Sequence, residues 1–431
     1  MRNSHSACLL AGLLLTLGSA SCSNSSGGDS GGEEVAPPLG FQLGDHIDGL
    51  TPEEEAAFER GREVFLRRFK PSEGLGPFYN ATSCVSCHST PVPGGGAELY
   101  RNFYICMVHP PGPFQSGLND LPSPIVPAFG SGEWNSGPPA HMSAHFTLEG
   151  DRIRMPDPET YPFELNIAQR SAIPIFGTGL FEFISDSTII ANSDPDDVDG
   201  DGISGRYNTD AGAIGRFGVK AQVNNIEVFT RAPLQNQMGI TSDPFLGSAG
   251  TVSASLAAFQ GTTDPNDPTT DDDGVPDPEI SHDDLGDLIA FTRFLAPPEP
   301  KEFTEAAKRG QASFDDMGCT ACHIPSLDSS RGPVNAYTDL LIHYMGDDLA
   351  DGLGFGTPQF STNDEQHTAY EFRTQPLWGV SMAAPFLHDG RAETLDEAIR
   401  LHGGEGQASR DLYVALTDEE RADLIEFLEK L

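Results

Sequence analysis

Basic residues are scarce in this chain of 431 residues: 25 lysines and arginines stand against 64 acidic residues, a formal charge of −39. Neutralising a phosphate backbone takes clustered Lys and Arg, so the shortage excludes a nucleic-acid partner. It leaves a solvated acidic surface, of a kind that also steers basic proteins toward it. Hydrophobic residues, at 38%, are few for a length that predicts two or three domains, and bulky prosthetic groups would help fill the cores. Cysteine is short too, with seven in all. Cys84, Cys87, Cys319 and Cys322 fall in two motifs, Cys8 and Cys22 lie near the start, and Cys106 alone remains. That excludes a disulfide framework, and Cys106 reads as a small buried apolar group. No apolar run is long enough to span a bilayer.

The start reads as a targeting segment. Arg2 precedes the apolar run Ala7 to Leu17, and Gly18-Ser19-Ala20-Ser21 leads to Cys22. Residues 1–22 are therefore expected to be a signal peptide. Cys22 followed by Ser23-Asn24-Ser25-Ser26-Gly27-Gly28 resembles a lipoprotein cleavage site with a flexible tether over residues 23–50, although Ser19 stands where Leu is usual. The expected location is outside the cytoplasm, in the periplasm or cell envelope. Membrane contact would come only through a lipid at Cys22, and plain cleavage is the other reading.

Behind the leader the chain repeats itself. Arg60-Gly61 with Phe65 matches Arg309-Gly310 with Phe314. Asp287-Leu288-Ile289-Ala290-Phe291 matches Asp423-Leu424-Ile425-Glu426-Phe427. All four segments carry apolar residues at helical spacing. Thr51, Ser281 and Thr417 are the expected N-caps, with acidic residues three positions on to close capping boxes and Pro52 at a first helical position. Each half thus reads helix, cysteine motif, connecting segments, helix, and the glycine allows close approach where first and last helices cross. The expected fold is mainly α with long loops: two tandem cytochrome c-like haem domains, 51–298 and 299–431, the first enlarged by insertions.

The cysteine motifs are Cys84-Val85-Ser86-Cys87-His88 and Cys319-Thr320-Ala321-Cys322-His323. In C-x-x-C-H two thiols add to the vinyl groups of a haem, and the adjacent His lies under the iron. Two such motifs at matching places in a duplicated chain predict two covalently bound haem c groups, with His88 and His323 as proximal ligands. Cleaving peroxide takes a group that moves a proton between its oxygens. Glu182 is the candidate, in the run Arg170 to Glu182 that mirrors Arg373 to Gly379.

Downstream, Pro385-Phe386-Leu387-His388-Asp389-Gly390-Arg391-Ala392-Glu393-Thr394-Leu395 resembles the bacterial di-haem cytochrome c peroxidase superfamily, which also contains the enzyme that matures methylamine dehydrogenase. The runs Gly74-Leu75-Gly76-Pro77, Asp194 to Arg206, Gly215 to Ala221, Arg373 to Gly379 and His402-Gly403-Gly404-Glu405 are similar to its di-haem oxidoreductase, thiol-oxidoreductase-like branch. The peroxidases place a Met ligand fourteen residues after the His of the His-Asp-Gly run, and the maturation enzyme a Tyr; here that position is His402. The resemblance therefore implies His402 as sixth ligand of the second haem, with His343 and Met382 next in line and His388 hydrogen bonding behind. The displaceable His sixteen residues after the first proximal one is replaced by Tyr104, which implies an open first haem; His109, His141, His145 and Met238 are alternative ligands. Of the two tryptophans, Trp378 suits an electron relay better than Trp134.

Asp197, Asp199 and Asp201 supply oxygens at alternate positions of a Gly-containing turn, and a carbonyl at Ile203 adds another, a pattern that suits calcium. Asn208 stands where a bidentate Glu is usual. Asp271-Asp272-Asp273 is a weaker case. The expected function is an exported di-haem c-type cytochrome oxidoreductase, peroxidase-like, one haem reacting with hydrogen peroxide and the other relaying electrons from a donor protein or small redox carrier. The alternatives are an electron-transfer cytochrome without catalysis, or a redox enzyme acting on thiols or a protein.

Overall fold

The first helix, α1 (Pro52–Leu66), begins as its sequence dictates. Thr51 Oγ1 accepts from the Glu54 amide at 3.2 Å, and the Glu54 carboxylate accepts from the Thr51 amide at 2.8 Å. This is a computed structural model, and it describes residues 43–109, 125–130, 147–149, 152–154, 164–210, 212–243, 274–351 and 368–431. Cys22 and the leader lie outside the described residues, as do Trp134, His141, His145, Asp271-Asp272-Asp273 and the side chains of Cys106 and His109.

Further helices follow: α2 (Asp186–Ala191), α3 (Ile226–Met238), α4 (His282–Phe294), α5 (Glu305–Asp316), α6 (Leu395–Arg400), α7 (Gln407–Ala415) and α8 (Asp418–Leu428). Ser281 caps α4 by accepting from the Asp284 amide at 3.1 Å. Thr417 and Glu420 close a capping box on α8.

The duplication is present in three dimensions. Helix α1 crosses α4 at Gly61, where a Cβ would stand 1.9 Å from the Asp287 carbonyl oxygen; α5 crosses α8 at Gly310, where a Cβ would stand 2.0 Å from the Asp423 oxygen. Only glycine permits either approach. Beside each crossing an arginine forks onto the same aspartate: Arg60 onto Asp287 at 2.7 Å twice, and Arg309 onto Asp423 at 2.7 and 2.9 Å. Phe58 and Phe65 pack on Phe291, with ring centroids 5.0 and 4.8 Å apart, and Phe314 packs on Phe427 at 5.4 Å. The expected boundary near residue 298 falls in the link between α4 and α5, inside one compact unit, Leu39–Leu431. The first core reaches past it, taking in Leu327, Val334, Leu340 and Leu341.

Two expectations change. The insertion in the first half is not made of long loops alone. Strand β2 (Phe103–His109) pairs antiparallel with β7 (Glu164–Arg170) along its whole length, and β3 (Ile125–Val126) borders it. A second antiparallel sheet runs in the order β1 (Phe78–Tyr79), β4 (Phe129–Gly130), β6 (Arg152–Arg154), β5 (Thr147–Glu149). Two small antiparallel pairs complete the β content of the described residues: β8 (Thr209–Asp210) with β9 (Ala213–Ile214), and β10 (Ile342–Tyr344) with β11 (Glu371–Arg373). The fold among the described residues is mixed rather than mainly α. The end of the expected tether is also pinned. Ile47, 2% exposed, donates its amide to Phe294 O at 2.8 Å, Ala296 donates to Asp45 O at 2.9 Å, and Arg62 reaches Gly44 O. Burying Ile47 against the end of α4 holds this stretch in place.

Candidate haem sites

Each cysteine motif forms a short turn at the foot of its helix crossing. The His88 amide donates to Cys84 O at 3.1 Å and the His323 amide to Cys319 O at 2.9 Å, so the His follows its cysteines in the same local geometry. The phenylalanine four residues past each crossing glycine then packs beside the imidazole, Phe65 at 6.3 Å from His88 and Phe314 at 6.2 Å from His323. Burial pushes the Cys84 and Cys319 thiols up to about 12, and Cys87 upward.

The tautomers follow from what each imidazole touches. His88 Nδ1 lies 3.0 Å from Gly95 O, His323 Nδ1 2.9 Å from Tyr337 O, and His402 Nδ1 2.8 Å from Ala398 O. A carbonyl only accepts, so Nδ1 carries the proton in all three and Nε2 keeps its lone pair, the form needed to bind a metal. Burial pulls all three below the usual imidazole range, His323 to about 4. They are neutral imidazoles at neutral pH.

In the second half these groups converge on one cavity of about 280 Å³. Cys319, Cys322, His323 and His402 line it together, amid walls such as Leu377, Val380, Leu395 and Leu424. The volume approaches the range for cofactor clefts, roughly 300–1,000 Å³. Two thiols, two imidazoles with free Nε2 and apolar walls suit a covalently held haem. One polar atom in this wall is orphaned: Arg373, 4% exposed, has no hydrogen-bond partner on Nη1 among the described residues.

Other expected residues fall as follows. Met382 lines the cavity, so it stays within reach as a ligand. His343 does not stay. Its Nδ1 lies 2.7 Å from Glu405 Oε2 and 3.6 Å from Cys322 Sγ, and its Nε2 lies 2.8 Å from Asp339 Oδ2. Neither nitrogen has a lone pair to offer a metal. Burial alone would push His343 down, but Asp339, with Cys322, outweighs it and the net is well above the usual range. Glu405 is held low in turn: burial raises it, and the hydrogen bond and charge of His343 lower it further than that. This buried Asp339–His343–Glu405 cluster was not read from the sequence; its signal was Glu405, closing the His402-Gly403-Gly404-Glu405 run.

His388 lines the cavity and lies face to face with Phe372, centroids 4.1 Å apart, rather than bonded to His402 in any described contact. Trp378 also lines the cavity and stacks on Phe181 of the first half at 5.5 Å and 11°. A Cβ at Gly177, whose φ is +67°, would stand 2.7 Å from that indole. Around the first motif, Tyr104 is 47% exposed and Met238 is buried in the main core.

Glu182 is occupied. Its Oε1 accepts from the Ile226 amide at 2.8 Å, at the start of α3, and its Oε2 accepts from Arg293 Nε at 2.7 Å. Both oxygens hold donors, which ties α3 to α4 and runs against the expected proton-transfer role.

The carboxylates of Asp197, Asp199 and Asp201 gather within 4.8 Å of one another. Oxygens at calcium-ligand distance from one ion stand at most about 5.2 Å apart, so this spacing is compatible with a shared ion. Asp197 (φ 47°), Gly200 (φ 76°) and Gly202 (φ 87°) bend the turn. Asn208 is turned away, its Nδ2 donating to Lys220 O. Ile203 ends the turn with its amide on Asp201 Oδ1 at 2.8 Å, and its side chain reaches the second cavity. Ser204 then donates to Glu405 from its amide at 3.1 Å and its hydroxyl at 2.8 Å. The acidic turn of the first half is thereby clipped to the segment carrying His402.

Two matched C-x-x-C-H turns, each beneath a glycine-tight helix crossing, define a c-type cytochrome with two haem attachment sites. The family model described as "Di-haem oxidoreductase, putative peroxidase" matches residues 159–431, well over half of the chain, and the chain belongs to that family, which implies two haem c groups. Methylamine utilization protein MauG of Methylorubrum extorquens is 31% identical over 131 residues, 29% of this chain and 34% of that protein. MauG of Methylophilus methylotrophus is 31% identical over 156 residues, 34% of this chain and 42% of that one. Cytochrome c551 peroxidase of Pseudomonas aeruginosa is 27% identical over 134 residues, 31% and 36% of the two chains. The matches thus span well under half the length of these relatives. Among solved structures, the diheme peroxidase BthA from Burkholderia thailandensis aligns with 87% of this chain and 86% of that one at 16% identity, with a TM-score of 0.37, too low to argue from. No helix among the described residues is long and apolar enough to cross a membrane.

Proposed function

We propose that this chain is an exported di-haem peroxidase-type oxidoreductase whose first haem reacts with hydrogen peroxide while the second passes electrons. The observation that carries the reading is the second cavity, where His323 and His402 both offer Nε2 beside Cys319 and Cys322. Two imidazoles would hold the iron of a bound haem here, which would suit electron transfer and leave the peroxide chemistry to the first site. Bound haem supplies one-electron transfer and, where a coordination position is open, reaction with peroxide. The chain's own residues do the rest. Gly95 O and Tyr337 O orient the proximal imidazoles. Trp378, stacked on Phe181, offers a π contact from the second cavity into the first half. Glu182 acts as a brace between helices, and the proton-moving group is sought elsewhere.

Calcium at Asp197, Asp199 and Asp201, with the Ile203 carbonyl, belongs to the same proposal, as do export, a lipid on Cys22, and a donor protein or small redox carrier as partner. With haem bound, Cys84, Cys87, Cys319 and Cys322 would be thioethers, so these four cysteines would carry no thiol chemistry of their own. Intact mass of the exported protein is expected to exceed the polypeptide by two haems, and EPR of the oxidised protein to contain one low-spin bis-imidazole species and one high-spin species that responds to peroxide. Two low-spin haems indifferent to peroxide, even after partial reduction with calcium present, would replace this reading by a plain electron carrier.

A further inference from the structure

We propose that Arg373 is the carboxylate anchor of the second cavity and holds a propionate of the second haem. The inference rests on the di-haem reading above. Arg373 closes strand β11, is 4% exposed and lines the cavity. Its fork is fixed on two sides. Nε donates to Gly218 O at 2.9 Å and Nη2 to Gln375 Oε1 at 2.8 Å. Its amide also donates to Val219 O at 2.7 Å, so a loop of the first half aims this side chain at a site in the second. Nη1 is left without a partner among the described residues.

Burial pulls the guanidinium down to about 10, with Asp339 opposing, so it stays charged at neutral pH. Asp339 cannot turn to meet it, because Oδ2 is held by His343 Nε2 and Oδ1 by the Leu341 amide at 2.9 Å. A buried charged donor left unpaired is costly, and a carboxylate satisfies it with a charge-assisted bond. The same cavity holds the Cys319 and Cys322 thiols that take the vinyl edge of a haem. A haem carries its two carboxylates on the edge away from those vinyls, and Arg373 is a buried cavity residue with an open cationic donor for one of them.

An anchored propionate stays ionised and its charge is balanced next to the iron. Arg373→Gln removes that balance. Redox titration is expected to find the reduction equilibrium of the second haem shifted toward the ferric form by about 10- to 100-fold, the worth of such a bond. A new pH dependence should appear between about pH 5 and 7, as the freed propionate takes up a proton. An unchanged potential and pH profile in a haem-loaded Arg373→Gln protein overturns the anchor. Should that variant not fold, Arg373→Lys decides through resonance Raman. Replacing a planar fork by a point charge is expected to move the propionate bending band of the second haem, and an unmoved band overturns the proposal. Acetate added to the wild type separates the sources: a shift of the second-haem potential would mean that Nη1 takes free anions instead. A protein whose mass lacks the second haem would defeat the di-haem reading itself, whereas a loaded protein with unaltered potential and band defeats the anchor alone.

Discussion

Replacing Gly61 by alanine tests the helix crossing that frames the first haem motif. The new Cβ would meet the Asp287 carbonyl oxygen at 1.9 Å, its carbon at 2.6 Å and Phe291 Cβ at 2.8 Å, all rigid backbone or near it. To restore ordinary contact α1 must back away by about 1.5 Å. That loosens Phe58 and Phe65 from Phe291, at about 1–3 kcal/mol for an overpacked contact. It also strains the Arg60–Asp287 fork, whose arginine is 58% exposed and which is therefore worth at most about 1 kcal/mol. Against this, alanine gains about 1 kcal/mol in helix propensity. At the middle of these ranges the net expectation is a loss of about 1.5 kcal/mol. Gly286 is the matched control. It sits in α4, is exposed, and has no heavy atom within 4 Å of a built Cβ. Gly286→Ala therefore keeps only the propensity gain, about 0.5–1 kcal/mol. Thermal unfolding of the haem-loaded proteins, followed by helical circular dichroism and Soret absorbance, should put the two midpoints on opposite sides of the wild type. A Gly61→Ala protein as stable as the wild type would mean that the helices do not cross at this distance.

His402→Met should raise the potential of the second haem and leave the haem attached, since a thioether favours ferrous iron relative to imidazole; an unaltered spectrum and potential would pass the ligand role to Met382, on the same cavity. Glu182→Gln should lower stability by about 1–2 kcal/mol through the lost charge on Arg293, with the peroxide rate in stopped flow close to wild type; a rate loss on the order of 10²–10⁴-fold would restore the acid–base role instead. The raised His343 contributes stability that is fully present below the ordinary imidazole value and lost as pH climbs through its folded value, while the lowered Glu405 contributes stability present above the ordinary carboxylate value and lost on acidification through its own. His343→Gln should thus cost about 3–5 kcal/mol near pH 7 by stranding two buried carboxylates, and it should flatten the alkaline limb of a melting-temperature profile. An alkaline limb as steep as in the wild type would clear His343 of that dependence.

What the sequence betrayed was local. Thr51 and Glu54 are three residues apart, Gly61 and Phe65 four, and Cys319 to His323 one turn, so each could be read where it stood. His402 was proposed through the family resemblance, because its spacing from His388 lies within one short segment, and it does line the second cavity. The sheet of the first half was not, because β2 meets its partner β7 across about sixty residues, and the Pro- and Gly-rich stretches between them dominate the local pattern. The donors that occupy Glu182 were hidden for a similar reason: they come from positions 44 and 111 residues away. Arg373 finds Gly218 across 155 residues and His343 finds Glu405 across 62, and no periodicity announces either pair.

The two helix crossings also set a timetable. Arg60 and Asp287 are 227 positions apart, Arg309 and Asp423 only 114. At equilibrium that doubling matters little, about 0.6 kcal/mol of closure entropy. For a chain delivered N-terminus first it matters more. Cys84 and Cys87 precede α4 by some two hundred residues, yet α1 lacks its crossing partner until the chain has arrived as far as α4. The first attachment turn therefore waits on an unclosed scaffold while some two hundred further residues pass, and the second is shut only by the last helix of the sequence. A chain ending before Ser281 should leave α1 unclasped, and limited proteolysis of such a fragment should cut within α1 first.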